Sequence, residues 1–303
     1  MKNGRARVLV VVKRTFYERE VLEGKSALTK KLLKDGDPVV RKMLGTHRSH
    51  VATFEEVMRV LKKLGASTFV RKSRRGTPIP SSFDLVITVG GDGTLLSASH
   101  QIGADVPLLG VNSAPDSSVG FFCAASKDGA EDAIGLALRG KLAGQTLQRM
   151  RVTRNGKTLS NRVLNEALFC HPSPAATSRY ILRVLGHDGD HDEEEQRSSG
   201  IWMGPAAGST AALRSAGGKV LPLRSSKIQY VVREPYRPRG QHFRLQRGLV
   251  RPGGRIEVRS KMRAARLFLD GHETFFEVGL GDLLVLENAA EPLHVLGMTR
   301  HTP

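Results

Sequence analysis

Cysteine is nearly missing from this chain: Cys123 and Cys170 are the two that occur among 303 residues. Two cysteines so placed offer neither a disulfide framework nor metal-ligand spacing, so both read as small core residues and a reducing, cytoplasmic compartment is the expected home. Long apolar runs are also lacking. Near the amino terminus the apolar stretch lasts only from Val8 to Val12 before Lys13 and Arg14 interrupt it, too short for a signal-peptide core or for a bilayer. It reads as a first buried strand, and no membrane partner is expected. Aromatic residues make up 5% of the chain, and few interleave the arginine-rich stretch REPYRPRGQHFRLQRGLVRPGGRIEVRSKMRAAR, residues 233 to 266. With so little for bases to stack on, no specific nucleic-acid partner is expected. There is no internal repeat and no low-complexity linker.

Positive charge, in contrast, is plentiful: 47 Lys and Arg against 29 Asp and Glu give a formal charge of +18. Such a field draws polyanions, nucleotides and polyphosphate among them, unless the excess serves only solubility. Apolar residues make up 40%, enough for cores of two ordinary domains.

The first part alternates in type. A strand near Arg7 to Val12 is followed by TFEEVMRVLKKLG, where Thr53 and Glu56 form a capping-box pattern ahead of Val57, Val60, Leu61 and Leu64, with Gly65 closing the helix. Then come ASTFV, the apolar strand DLVITV, a helix from about Thr94 to Ile102, the strand PLLGVN ending at Asn112, and a helix around Asp128 to Arg139. Strands separated by helices imply a parallel sheet. The segment from Glu18 to Thr46 and the stretch VRKSRRGTPIP read as surface loops or insertions. From Leu147 onward the period changes: LQRMRVT, KTLSNRVLNEALFC, RYILRVLG, KIQYVVRE, RIEVRS, ARLFLDG and DLLVLENA alternate and meet at turn signals, as in an antiparallel sandwich. The expected organisation is an α/β domain over 1–146, a β-rich domain over 147–290, and a tail over 291–303 returning to the first.

The chemistry concentrates where DLVITV runs into GGDGT, residues 90 to 94. In a parallel sheet the carboxyl ends of strands open onto the ligand crevice, and a helix starting there aims unpaired N–H groups at it. Gly90, Gly91 and Gly93 let phosphates approach the backbone, and Asp92 is the one acid in reach; a plain capping turn explains one glycine and one aspartate, not three glycines. Asn112 ends a strand at the same edge, either bonding a ribose or phosphate or serving as a polar turn residue. Asn165 and Glu166 interrupt an apolar strand, and a buried carboxylate there requires a partner, either a ligand or an internal hydrogen-bonded pair. In GPAAGSTAALRSAGG, Gly208 and Ser209 open a short helix and Gly217 with Gly218 closes it. The acidic run HDGDHDEEE lacks the glycine and distant glutamate of a calcium loop and reads as a hairpin tip, not a metal site. FLDGHETF places Asp270 at a structural turn.

GGDGT resembles the signature loop shared by NAD kinases, phosphofructokinases and diacylglycerol kinases. Together with GVNSAPDSSVGFF, LNEALF, RSSGIWMGPAAGSTAALRSAGG and LFLDGH, in that order, the chain is similar to NAD kinases, and its Ser-Ser-Gly and GVNSAPDSSVG spacing to their mitochondrial-type branch. The resemblance implies an amino-terminal α/β domain, a carboxy-terminal β domain, NAD in the cleft between them, and a homo-oligomer. It implies Asp92 as the base, with Gly90, Gly91, Gly93, Thr94, Asn112, Asn165, Glu166, Arg197, Ser199, Ser209, Thr210 and Ala211 around the nucleotide. The reaction implied is transfer of the γ-phosphoryl group of ATP, or of another donor, to the 2'-hydroxyl of the adenosine ribose of NAD. Mg²⁺ would ride on the donor's phosphates, with no dedicated metal ligands on the protein. Ser199 stands where the family's aspartate is common, and Ala212 where it has a tyrosine. The rival readings are a lipid or other small-molecule kinase of the same superfamily and a non-catalytic nucleotide or polyanion binder.

Overall fold

The computed structural model describes residues 5–24, 26–73, 76–236 and 243–298. Arg74 and Arg75 of the loop expected over 70–80, residues 237–242 of the arginine-rich stretch, and 299–303 of the tail lie outside these. The chain divides into two units, Met1–Gln145 with Leu293–Pro303, and Thr146–Pro292. No helix among the described residues is long and apolar enough to cross a membrane.

The first unit is built on β1 (Arg7–Val12), α1 (Ala27–Lys34), α2 (Met43–Lys63), β2 (Ser67–Lys72), β3 (Leu85–Gly90), α3 (Asp92–Ser99), β4 (Leu108–Asn112), β5 (Cys123–Ser126), α4 (Ala130–Leu138) and β6 (Gly144–Leu147). Its sheet has the order β2-β1-β3-β4, continuing to the chain's last strand, Leu293–Leu296, and then β6, with β5 also paired to β4. The strands β2, β1, β3 and β4 are parallel, with Val12 opposite Val89 and Gly90 opposite Asn112. Every residue of β3 and β4 is buried, as strands covered on both faces must be, which is why VLVVV, LVITV and LLGV read as nearly unbroken apolar runs. Val57, Val60 and Leu61 of α2 and Ala130, Ala133 and Ile134 of α4 pack with these strands in one core.

Two expectations are corrected in this unit. The segment 18–46 is largely helical, with a wide turn at Glu18–Leu22, α1, and the first residues of α2. The helix expected to start at Thr53 starts ten residues earlier: Thr53 is no cap, and its hydroxyl donates to the Ser49 carbonyl one turn back. Its end is as expected, with Gly65 at φ +69° and Ala66 N–H closing onto the Leu61 carbonyl.

The second unit contains β7 (Met150–Arg154), β8 (Lys157–Val163), β9 (Ala167–Cys170), β10 (Ser178–Leu185), β11 (His191–Ser198), β12 (Ile201–Gly204), α5 (Ala212–Ser215), β13 (Ile228–Val232), β14 (Arg247–Val250), β15 (Arg255–Ser260), β16 (Ala265–Leu269), β17 (Phe275–Val278) and β18 (Leu283–Asn288). They form two six-stranded sheets, β11-β10-β15-β18-β7-β8 and β14-β13-β12-β9-β16-β17, paired antiparallel. Alternate residues of both sheets share one core: Met150, Val152, Tyr180, Leu182, Ile256 and Leu286 from the first meet Phe169, Ile201, Met203, Tyr230 and Leu267 from the second. The run KTLSNRVLNEALFC is therefore not one strand. It leaves the first sheet after Val163 and enters the second at Ala167, and the three residues Leu164, Asn165 and Glu166 form the corner between sheets.

Candidate active site

In the first unit the chain leaves β3 at Gly90, turns at Gly91 and enters α3 at Asp92. The three glycines have different reasons. A β-carbon on Gly90 would overlap the side chain of Thr94, buried one turn along, and one on Gly91 would overlap the Ser118 hydroxyl. These two make the tight turn possible. A β-carbon on Gly93 meets nothing within 4 Å, so this is the position of the three where the backbone lies open to an approaching group.

Asp92 is half-buried, and its carboxylate accepts two backbone N–H groups: Phe121 at 3.0 Å on one oxygen and Phe122 at 2.9 Å on the other. A carboxylate has about four acceptor positions; two are filled, and the group is fixed in orientation with acceptor capacity left over. Those amides are delivered by the loop 113–120, whose shape Asn112 sets. The Asn112 side chain donates to the Ser118 carbonyl at 2.9 Å and accepts from Ala114 N–H at 3.1 Å. Gly120, at φ +66°, passes so close that a β-carbon would overlap the Asn112 amide. Asn112 is buried and tied into the loop, which makes its turn role concrete. Neither the Phe121 and Phe122 amides nor their partnership with Asp92 left a trace in the sequence beyond the glycine before them.

In the second unit Asp270 organises the corner between β8 and β9. It is buried at φ +47°, and its carboxylate accepts from Leu164 N–H at 2.8 Å, Asn165 N–H at 2.7 Å and Glu166 N–H at 3.0 Å. Its own N–H donates to the Glu166 carbonyl at 2.9 Å. The loop after β12 presses on the same corner, since β-carbons on Gly204 or Gly208 would overlap the Asn165 carbonyl. Asn165, Glu166 and the GPAAGST segment are thus brought together. Side-chain oxygens Asn165 Oδ1 and Glu166 Oε2 are buried without a hydrogen-bond partner among the described residues, a costly state for any carbonyl or carboxyl. Burial, with the Asp270 charge beside it, pushes the Glu166 carboxyl up to about 7.

The remaining expected residues lie differently. Ala206–Thr210 is a tight helical turn, and α5 follows it, closed as expected by Gly217 at φ +89°. Ser209 is fully buried, donating to the Ala206 carbonyl at 2.7 Å and accepting from Leu221 N–H at 2.9 Å, whereas Thr210 and Ala211 are half-exposed. Ser199 is half-buried, two residues before β12 and so beyond the end of that strand opposite Gly204. Its N–H donates to the Arg233 carbonyl at 3.0 Å, and the Arg233 guanidinium lies over Trp202, 5.7 Å from the ring centre. Arg197 is exposed on β11, directly across from Arg179 on β10.

Residues 8–141 match the family model described as the ATP-NAD kinase N-terminal domain. The chain is 37% identical over 243 residues to a probable NADH kinase of Oryza sativa subsp. japonica, covering 75% of this chain and 74% of that one. It is 30% identical to an NAD kinase of Aquifex aeolicus, over 78% of this chain and 85% of the other. Among solved structures it resembles an Archaeoglobus fulgidus NAD kinase crystallised with ATP (TM-score 0.65, 21% identity, 95% and 92% of the two chains) and yeast NADH kinase complexed with NADH (TM-score 0.72, 14% identity, 99% and 85%). An α/β unit followed by two antiparallel sheets is the fold it shares with those kinases. The chain belongs to the NAD kinase family and is an enzyme of that family.

Proposed function

We propose that the protein transfers the γ-phosphoryl group of ATP, or of another phosphoryl donor, to the 2'-hydroxyl of the adenosine ribose of NAD, making NADP. The observation that carries this reading is the Asp92 carboxylate, clamped by two amides at the start of α3 yet half-exposed and with acceptor positions to spare. In the proposed step Asp92 accepts the proton of the 2'-hydroxyl as its oxygen forms a bond to the γ-phosphorus. The bond from that phosphorus to the bridging oxygen breaks, and ADP leaves with the bridging oxygen and its electron pair. Amides of the open backbone at Gly93 suit phosphate oxygens. Mg²⁺ belongs in this reading to the nucleotide's phosphates, whose charge it would neutralise.

The second unit's contribution is recognition. Asn165 Oδ1 and Glu166 Oε2, buried and unpaired, fit an adenine edge and a sugar hydroxyl. We infer that reduced NADH is also accepted. Ser199 stands where the family's carboxylate, which would favour a cationic nicotinamide, is common, and a neutral ring loses nothing by that replacement. A reducing, cytoplasmic compartment is part of this reading, because two cysteines offer no disulfide framework. A homo-oligomer rests on the resemblance alone, and light scattering of the purified protein tests it.

The deciding experiment incubates purified protein with ATP and Mg²⁺ and either NAD or NADH, and measures NADP or NADPH. Product formation supports the reading. Binding of NAD without phosphate transfer would make the protein a non-catalytic binder, and phosphorylation of diacylglycerol or a sphingoid base with NAD inert would make it a lipid kinase.

A further inference from the structure

Among the described residues His50 is the most deeply buried histidine of the first unit, 4% exposed within α2, and neither the family motifs nor the charge pattern gives it a role. Its ring ties two elements together. Nδ1 lies 2.9 Å from the Ser113 hydroxyl, just past the end of β4, so the two share a hydrogen bond. Burial holds the imidazole below its ordinary basicity, reinforced by Lys13 and His47 and opposed by Glu18.

Ser113 is gripped from further sides. The Ser49 hydroxyl donates to its carbonyl at 3.0 Å, and its own N–H donates to the Gly90 carbonyl at 3.0 Å. Ser113 is 1% exposed, so these bonds form without competition from solvent. From Ser113 the chain runs through the Asn112-pinned loop to Phe121 and Phe122, whose amides hold Asp92. A continuous path of hydrogen bonds and short backbone segments therefore joins α2 to the Asp92 carboxylate, all of it inside the first unit.

We propose that His50 is a positioning residue for phosphoryl transfer: by anchoring Ser113 against the end of β3 it sets the loop whose amides aim the Asp92 carboxylate. This rests on the reading of Asp92 as the base. A base displaced by a fraction of an ångström loses rate without losing substrate affinity.

The test is a set of variants assayed for kcat and KM with NAD and ATP-Mg²⁺, each first shown by circular dichroism to be folded. His50→Leu and Ser113→Ala are expected to lower kcat about tenfold to a hundredfold with KM within about twofold. In an Asp92→Asn background the same substitutions are expected to change kcat by less than about twofold, because no base remains to be aimed. His50→Asn, whose amide can pair with the Ser113 hydroxyl as donor or acceptor, is expected to recover most of the loss; a purely structural filler would be better replaced by Leu. Ser113→Ala removes one oxygen and carries the test if His50→Leu does not accumulate as folded protein. Wild-type kcat in Ser113→Ala, or an undiminished loss in the Asp92→Asn background, overturns the proposal. Wild-type turnover in Asp92→Asn alone would instead overturn the reading of the base on which it stands.

Discussion

Asp92 in the first unit and Asp270 in the second are two aspartates clamped by backbone amides, and they differ in what is left over. Asp270 accepts three N–H groups and is 4% exposed; it is nearly saturated and acts as a strut for the corner between two sheets. Asp92 accepts two and is half-exposed, so the same kind of grip orients the group and leaves it able to take a proton. Acidic residues fixed by amides are thus not equivalent: occupancy of the lone pairs and access separate an anchor from a candidate base.

The largest effect should come from Asp92→Asn. Turnover is expected to fall about 10² to 10⁴-fold, while NAD affinity, read by calorimetry, stays within about threefold; an equal loss of affinity would erase the distinction between the two aspartates. Asp270→Asn should do the opposite. One amide oxygen cannot replace a carboxylate at three N–H groups, and the loss is expected to cost the second unit about 2 to 3 kcal/mol. Trp202, the single tryptophan of the chain, lies on β12 in that unit, so its fluorescence during urea unfolding reads the change there.

A third effect follows from Glu166. Its carboxyl is ordinary, near 4.5, in the unfolded chain and is raised to about 7 in the fold, so the folded state holds a proton the unfolded state has released. Stability from this group is full below 4.5, declines as pH rises toward 7, and is level above it, a span of about 3 kcal/mol. Glu166→Gln should flatten the difference between urea midpoints measured by Trp202 at pH 5 and pH 8; an unchanged difference would mean the carboxyl is not buried against Asp270 as described. The smallest effects separate the glycines. Gly93→Ala adds a methyl in open space at a helical position and should stabilise the first unit by about 0.5 to 1 kcal/mol while raising KM for ATP. Gly91→Ala should destabilise it, because the Ser118 hydroxyl must move.

Much of the framework was legible. VLVVV, DLVITV and PLLGVN are strands because short, nearly continuous apolar runs fit a sheet covered on both faces, and the alternating segments after Leu147 are strands of a sandwich because one face of each is buried. The start of α2 was not legible. Thr53 and Glu56 imitate a capping box, and the polar run Thr46, His47, Arg48, Ser49 and His50 hides the preceding turns, since the apolar stripe is broken there by a histidine that is buried through its hydrogen bond. Glu18 to Lys34 misled for a related reason: none of the residues in its helical segments is buried, so no periodic stripe marks them. In the candidate site, Asp92 stood out among its glycines, and Asn165 with Glu166 stood out as polar residues in an apolar run. Their partners did not, and the run itself proved to be two strands with a corner between them.

By itself, the sequence determined that a parallel α/β part is followed by an antiparallel β part, that VLVVV, DLVITV and PLLGVN are strands of the first, and where a carboxylate sits at a strand-to-helix junction; these depend on local propensity and on the period of apolar residues. Tertiary structure alone decided that the amides of Phe121 and Phe122 hold Asp92, that Asp270 ties down a corner made by residues 164–166, and that His50 reaches Ser113. The physical reason is that backbone N–H groups are alike in every residue, so which of them meets which side chain is set by the packing of distant segments, and no local pattern records it.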